Sequence, residues 1–146
     1  MKENISQLSK IIRLRWIIVT GTFTGAVILL SSFGPNQQIW TAPSYANKVP
    51  NPVASNAKSL AAGKSIYTKN CYDCHGKKGK GDGPKSGDLD KGPKDFTKEA
   101  FQSQTDGSLF WKITEGRKPM PSFKKDLTPE QRWQVINYVR TLGPKK

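Results

Sequence analysis

The only histidine and both cysteines of this chain stand within five consecutive residues, Cys71-Tyr72-Asp73-Cys74-His75. C-x-x-C-H is the spacing of covalent c-type haem attachment. Two thiols three positions apart sit about one helical turn from each other, so each can reach one vinyl group of the same porphyrin. The adjacent imidazole then falls beneath the iron as its proximal ligand. Two other chemistries use a C-x-x-C pair. A redox dithiol would want a βαβ pattern around it, and none is visible. Structural zinc needs four good ligands; cysteine and histidine supply only three, and Asp73 would make an unusual fourth. Haem c is the expected cofactor, with Cys71, Cys74 and His75 binding it.

His75 leaves the opposite face of the iron open. Apart from the initiator, Met120 is the only methionine in the chain. It stands in Arg117-Lys118-Pro119-Met120-Pro121-Ser122-Phe123, where prolines on both sides stiffen the backbone. A lone methionine is more often core filler. The rigid loop and the lack of a second histidine favour ligation here, so Met120 is expected as the second axial ligand. His/Met ligation closes both axial positions and raises the reduction potential. Closed iron is suited to passing electrons and poorly placed to bind peroxide or oxygen.

Three main helices must position these residues. The first is predicted from about Ser55 or Asn56 to Asn70, with Leu60, Gly63, Tyr67 and Cys71 roughly on one face. Gly63 costs about 1 kcal/mol relative to alanine inside a helix, so close contact with another helix is a sensible reason for it. The second runs from about Asp106 to Glu115, capped by Thr105 or Asp106 and ended by Gly116. The third opens on the capping box Thr128-Pro129-Glu130-Gln131. Its stripe Val135, Tyr138, Val139 and Leu142 has helical spacing, and Gly143-Pro144 terminates it. Between the first two lies a Gly- and Lys-rich stretch from Gly76 to Pro84. It lacks the spacing of a phosphate-binding loop and reads as a loop along one haem edge.

The N-terminus points to export. Lys2, Lys10, Arg13 and Arg15 precede an uncharged apolar run from Trp16, the arrangement of a signal peptide or an N-terminal anchor. Counted through Gly34 the run is long enough to span a bilayer, and no convincing cleavage site follows it closely. An uncleaved anchor over residues 1–34 is therefore favoured over a cleaved signal. Residues 35–56 read as an extended linker, in which Trp40 is a packing or interface anchor, and residues 57–146 form the folded domain. The net charge of +13 is spread along that domain, which favours acidic partners and salt-sensitive encounters. An exported chain makes nucleic acid an unsuitable partner.

From about Ser59 to Leu142 the chain resembles the class I c-type cytochromes. The resemblance rests on the Cys71–His75 motif, the Met120 loop and the terminal helix ending Tyr138-Val-Arg-Thr-Leu142. It implies an all-α cytochrome c-like domain of about three main helices wrapped around one haem. The helix before the motif should cross the terminal helix, with Gly63 and Tyr67 meeting Val135 and Tyr138. The stretches Gly79-Lys-Gly81-Asp-Gly83-Pro84 and Pro93-Lys-Asp-Phe96-Thr97 are similar to bacterial single-haem members. In the family the proximal histidine donates its second ring nitrogen to a proline carbonyl, and Pro84 and Pro93 are both candidates.

Together these readings predict a one-electron carrier, not itself an enzyme, in an extracytoplasmic respiratory chain. It would lie in the bacterial periplasm, tethered to the inner membrane, or soluble there after signal cleavage. Lys77, Lys78, Lys80, Lys118, Lys124 and Lys125 would orient an acidic redox partner. A fixed subunit of a larger membrane oxidoreductase is the first alternative. A haem enzyme or gas sensor, with Met120 displaced, is the second.

Overall fold

The computed structural model describes residues 39–144, and among them the secondary structure is helical, with no strand. Helix α1 spans Ala57–Asn70. The Asn56 side chain accepts from the Ser59 N–H at 3.0 Å, and Ser59 Oγ accepts from the Asn56 N–H at 3.1 Å. This is a capping box with serine where Glu or Gln is usual. One helical turn, α2 (Tyr72–His75), follows almost without a break. A second short turn, α3 (Glu99–Gln102), precedes α4 (Asp106–Glu115), whose cap is Thr105. Helix α5 spans Pro129–Arg140 and starts from the predicted box of Thr128 and Gln131. The three expected helices are thus α1, α4 and α5.

The expected crossing of α1 and α5 is present, and it is a backbone contact. A Cβ on Gly63 would lie 2.0 Å from the Gln134 carbonyl oxygen and 3.0 Å from the Tyr138 Cβ. No other residue type fits without separating the helices. One turn along, the Tyr67 and Tyr138 rings meet at 5.2 Å. Tyr67, Phe96, Val135 and Val139 form one buried cluster; Leu109, Trp133 and Ile136 form a second. Phe101 and Ile113 pack against both.

Arg140 fastens the far end of α5. Its Nε and Nη2 donate to Asp106 Oδ1 at 2.8 and 2.6 Å, and its other bonds reach the carbonyls of Gln102 and Gln104. The fork of donors ties the start of α4 to the end of α5 in a geometry lysine could not reproduce.

The segment expected as an extended linker is structured from Trp40 onward. Ala42 and Ala46 are buried, and residues Ala46–Lys48 form a 3-10 turn. Trp40 meets the Trp111 ring at 6.4 Å, with the Arg117 guanidinium 4.9 Å above it. Asn47 bonds Ser108, and Asn51 donates to Asn137 Oδ1 at 2.8 Å. Pro, Asn, Ser and Ala carry no periodicity, yet these side chains supply small apolar contacts and amide hydrogen bonds to helices far along the chain. The predicted anchor, residues 1–34, lies outside the described residues. Among those described, no helix is long and apolar enough to cross a membrane.

Candidate functional site

Helix α1 delivers the motif. The Cys71 N–H closes α1 on the Tyr67 carbonyl at 2.8 Å, and the His75 N–H then bonds the Cys71 carbonyl at 2.9 Å. Cys71, Cys74 and His75 are therefore brought together on one turn. Both thiols are free and partly buried. Burial, with Cys74 adding, pushes the Cys71 thiol up to about 12. Among the described residues no cluster of three His, Cys, Asp or Glu is arranged for a metal ion held by protein ligands alone.

The His75 ring stacks on Phe96, with centroids 4.2 Å apart and planes 24° off parallel. Burial lowers its pKa, and the backbone of Lys94 pulls the other way. Neutral imidazole is the form that ligates metal. Nδ1 is buried without a hydrogen-bond partner. Pro84 and Pro93, the expected backbone partners of this ring, make no hydrogen bond to Nδ1. The Pro93 carbonyl instead lies against Gly81, where a Cβ would come within 2.5 Å of its oxygen.

Backbone bonds hold this side in place. The N–H groups of Gly81, Gly83 and Lys85 donate to the carbonyls of His75, Cys74 and Asp73 at 2.9, 3.1 and 2.7 Å. Gly81 does so at φ +79°, a conformation that disfavours other residues. The buried Tyr67 hydroxyl donates to the Gly76 carbonyl at 2.7 Å, joining α1 to the residue after the imidazole. Beside the turn, a shallow depression is lined by Tyr72, Lys77, Lys78, Lys80, Asp82 and Pro84 among others. Its polar rim is unlike a haem crevice.

Met120 lies on the loop leaving α4. It is half-buried. Its N–H and carbonyl both bond Arg117, at 2.9 and 3.0 Å, around a cis Lys118-Pro119 peptide. Ser122 Oγ then donates to the Thr114 carbonyl at 2.6 Å and the Phe123 N–H to the Ile113 carbonyl at 3.1 Å. Ile113 packs against the buried cluster of Tyr67, Phe96, Val135 and Val139, so the helix that carries the Met120 loop and the ring stacked on the imidazole share one core. Phe96 was visible only through family resemblance, and Thr114 and Ser122 carried no sequence signal.

These residues fit a covalent haem. Two thiols have no disulfide partner, a desolvated imidazole keeps an uncommitted ring nitrogen, and aromatic and aliphatic side chains surround the turn. Comparison with known proteins agrees. The family described as cytochrome c oxidase, cbb3-type, subunit III matches residues 58–139. Quinohemoprotein alcohol dehydrogenase ADH IIB of Pseudomonas putida is 37% identical over 101 residues, covering 67% of this chain and 13% of that protein. A chain of the Kuenenia stuttgartiensis reducing HAO-like protein complex Kustc0457/Kustc0458 superimposes with a TM-score of 0.59 at 33% identity, covering 64% of this chain and 47% of that one. The chain thus spans a small part of the first relative and about half of the second. Motif, helical frame and family match coincide: the chain belongs to the cytochrome c oxidase, cbb3-type, subunit III family, a c-type cytochrome domain that binds haem covalently.

Proposed function

We propose that the chain is a one-electron carrier in which Cys71 and Cys74 hold the haem through thioethers while His75 and Met120 ligate its iron. The haem supplies the redox couple. The protein supplies attachment, exclusion of water from the imidazole, and two ligand-bearing segments of different construction, one a helical turn and one a loop. The observation that carries this reading is the α2 turn, where both thiols and a desolvated imidazole converge. Met120 is supported by its half-buried place on a loop fastened at both ends. Replacing Met120 by alanine in the haem-loaded protein should abolish the far-red sulfur-to-iron charge-transfer band and lower the reduction potential. A spectrum unchanged by that substitution would remove Met120 from the iron.

The expected setting is the periplasmic face of a bacterial inner membrane, with residues 16–34 as the tether. The apolar run behind a basic N-terminus supports it. The partner is expected to be a redox protein with an acidic surface. Lys77, Lys78, Lys80, Lys118 and Lys125 are all exposed, while Lys124 lies 3.8 Å from Glu115. Rates of electron exchange should fall steeply with added salt; a flat dependence would remove the steering role.

A second reading has its own support. The matching family is described as an oxidase subunit, and the solved relative is part of a complex. Mild detergent extraction and size measurement separate the two. A stable large assembly means a fixed subunit; a lone species of 16.2 kDa plus haem means a carrier.

A further inference from the structure

Among the described residues, Arg132 is the one charged side chain that is buried, at 6% exposed. No carboxylate pairs with it at salt-bridge distance. Its guanidinium lies 4.7 Å over the Phe110 ring, which stacks in turn on Trp133 at 4.1 Å. Nη1 donates to Thr114 Oγ1 at 2.6 Å, while Nε is buried with no hydrogen-bond partner. A buried guanidinium is a poor source of stability, so the direction of its one strong hydrogen bond is the more informative property.

That bond leads to the Met120 loop. Thr114 Oγ1 receives Arg132 and donates to the Phe110 carbonyl at 2.7 Å. The Thr114 carbonyl accepts the Ser122 hydroxyl, and the adjoining Ile113 carbonyl accepts the Phe123 N–H. The loop beyond Met120 is therefore fastened to the last turn of α4, and Arg132 reaches across from α5 to hold that turn. Carbonyls at a helix end lack intrahelical partners; here the loop supplies them, and Arg132 fixes the residue that presents one.

We propose that Arg132 is a positioning residue, which by clamping Thr114 holds the Met120 loop closed and keeps the thioether on the iron against competing ligands. The proposal rests on Met120 ligation as argued above. Loss of the clamp frees the end of α4, and the closed loop then competes less well with an external base. A hydrogen bond to a charged group of this kind corresponds to about a tenfold change in such an equilibrium.

The test is an imidazole titration of the full-length, haem-loaded ferric protein, followed through loss of the sulfur-to-iron band. Arg132→Met should be opened at about tenfold lower imidazole, and Arg132→Lys, which keeps a donor, should recover part of the difference. Ser122→Ala cuts the same chain at an exposed position that does not threaten folding. It should shift in the same direction, and the double variant should fall short of the product of the two. Should Arg132→Met fail to load haem, Ser122→Ala decides alone. Unchanged displacement in these variants, even with a lowered melting temperature, would overturn the proposal provided Met120→Ala lacks the band. Persistence of the band in Met120→Ala would instead show that the ligation reading is wrong, and the clamp would fall with it.

Discussion

The histidine side and the methionine side of the site are built differently. On the histidine side, the chain folds back on its own motif through backbone hydrogen bonds from Gly81, Gly83 and Lys85. On the methionine side, the loop makes one tight turn and then depends on Thr114, Ile113 and, through Thr114, on Arg132. Backbone bonds between near neighbours in sequence need little chain closure. The methionine loop has a backbone bond of its own, from Phe123 to Ile113, but its brace from Arg132 comes from another helix and holds only when α5 is packed against α4. Proximal attachment should therefore be the robust half, and the methionine loop the half that opens.

Substitutions can break or sharpen this contrast. The largest loss is expected from Gly81→Val. Its positive φ costs about 1–3 kcal/mol for a side-chain-bearing residue, and contact with the Pro93 carbonyl adds about 1–3 kcal/mol. Denaturant midpoints should drop accordingly, and haem incorporation with them. Unchanged midpoints would mean that the backbone clasp does not hold the histidine side.

Tyr67→Phe is milder. The Gly76 carbonyl loses the phenol but keeps the Gly79 N–H at 3.2 Å, so the cost should be about 1 kcal/mol, without change in the sulfur-to-iron band. Ser122→Ala should cost less than about 1 kcal/mol in denaturation. If its midpoint falls as far as that of Gly81→Val, the two sides do not differ as described.

The smallest effect is acid-dependent. Asp95 accepts from the Thr97 N–H and hydroxyl at 2.8 and 2.6 Å, which holds its carboxyl below the ordinary 3.8. Its contribution is complete above 3.8 and is lost as pH falls through the depressed folded value. Thr97→Val should flatten stability against pH in that acid window alone. Near neutrality the variant should be the less stable by that contribution, and the gap should close in acid; a gap that persists below the window would point elsewhere.

The sequence exposed those parts whose chemistry is local. The C-x-x-C-H spacing located the thiols and imidazole. Thr128-Pro129-Glu130-Gln131 located the start of α5, and Gly63 foretold the helix crossing, because only a glycine admits the Gln134 carbonyl there. Residues acting across long separations were less legible. Asn47, Asn51 and Trp40 look like linker composition until they meet α4 and α5. Ser59 completes a capping box without the usual glutamate. Arg132 sits in a helix whose stripe predicts apolar burial, and nothing in its spacing announces a buried cation.

The central claim is a closed iron that exchanges electrons without opening to small ligands. Exposing the reduced, haem-loaded protein to carbon monoxide while recording its visible spectrum tests this directly. Carbon monoxide should leave the spectrum of the native protein unchanged and alter that of Met120→Ala at once. Ready binding by the native protein would contradict the account and favour a haem enzyme or gas sensor.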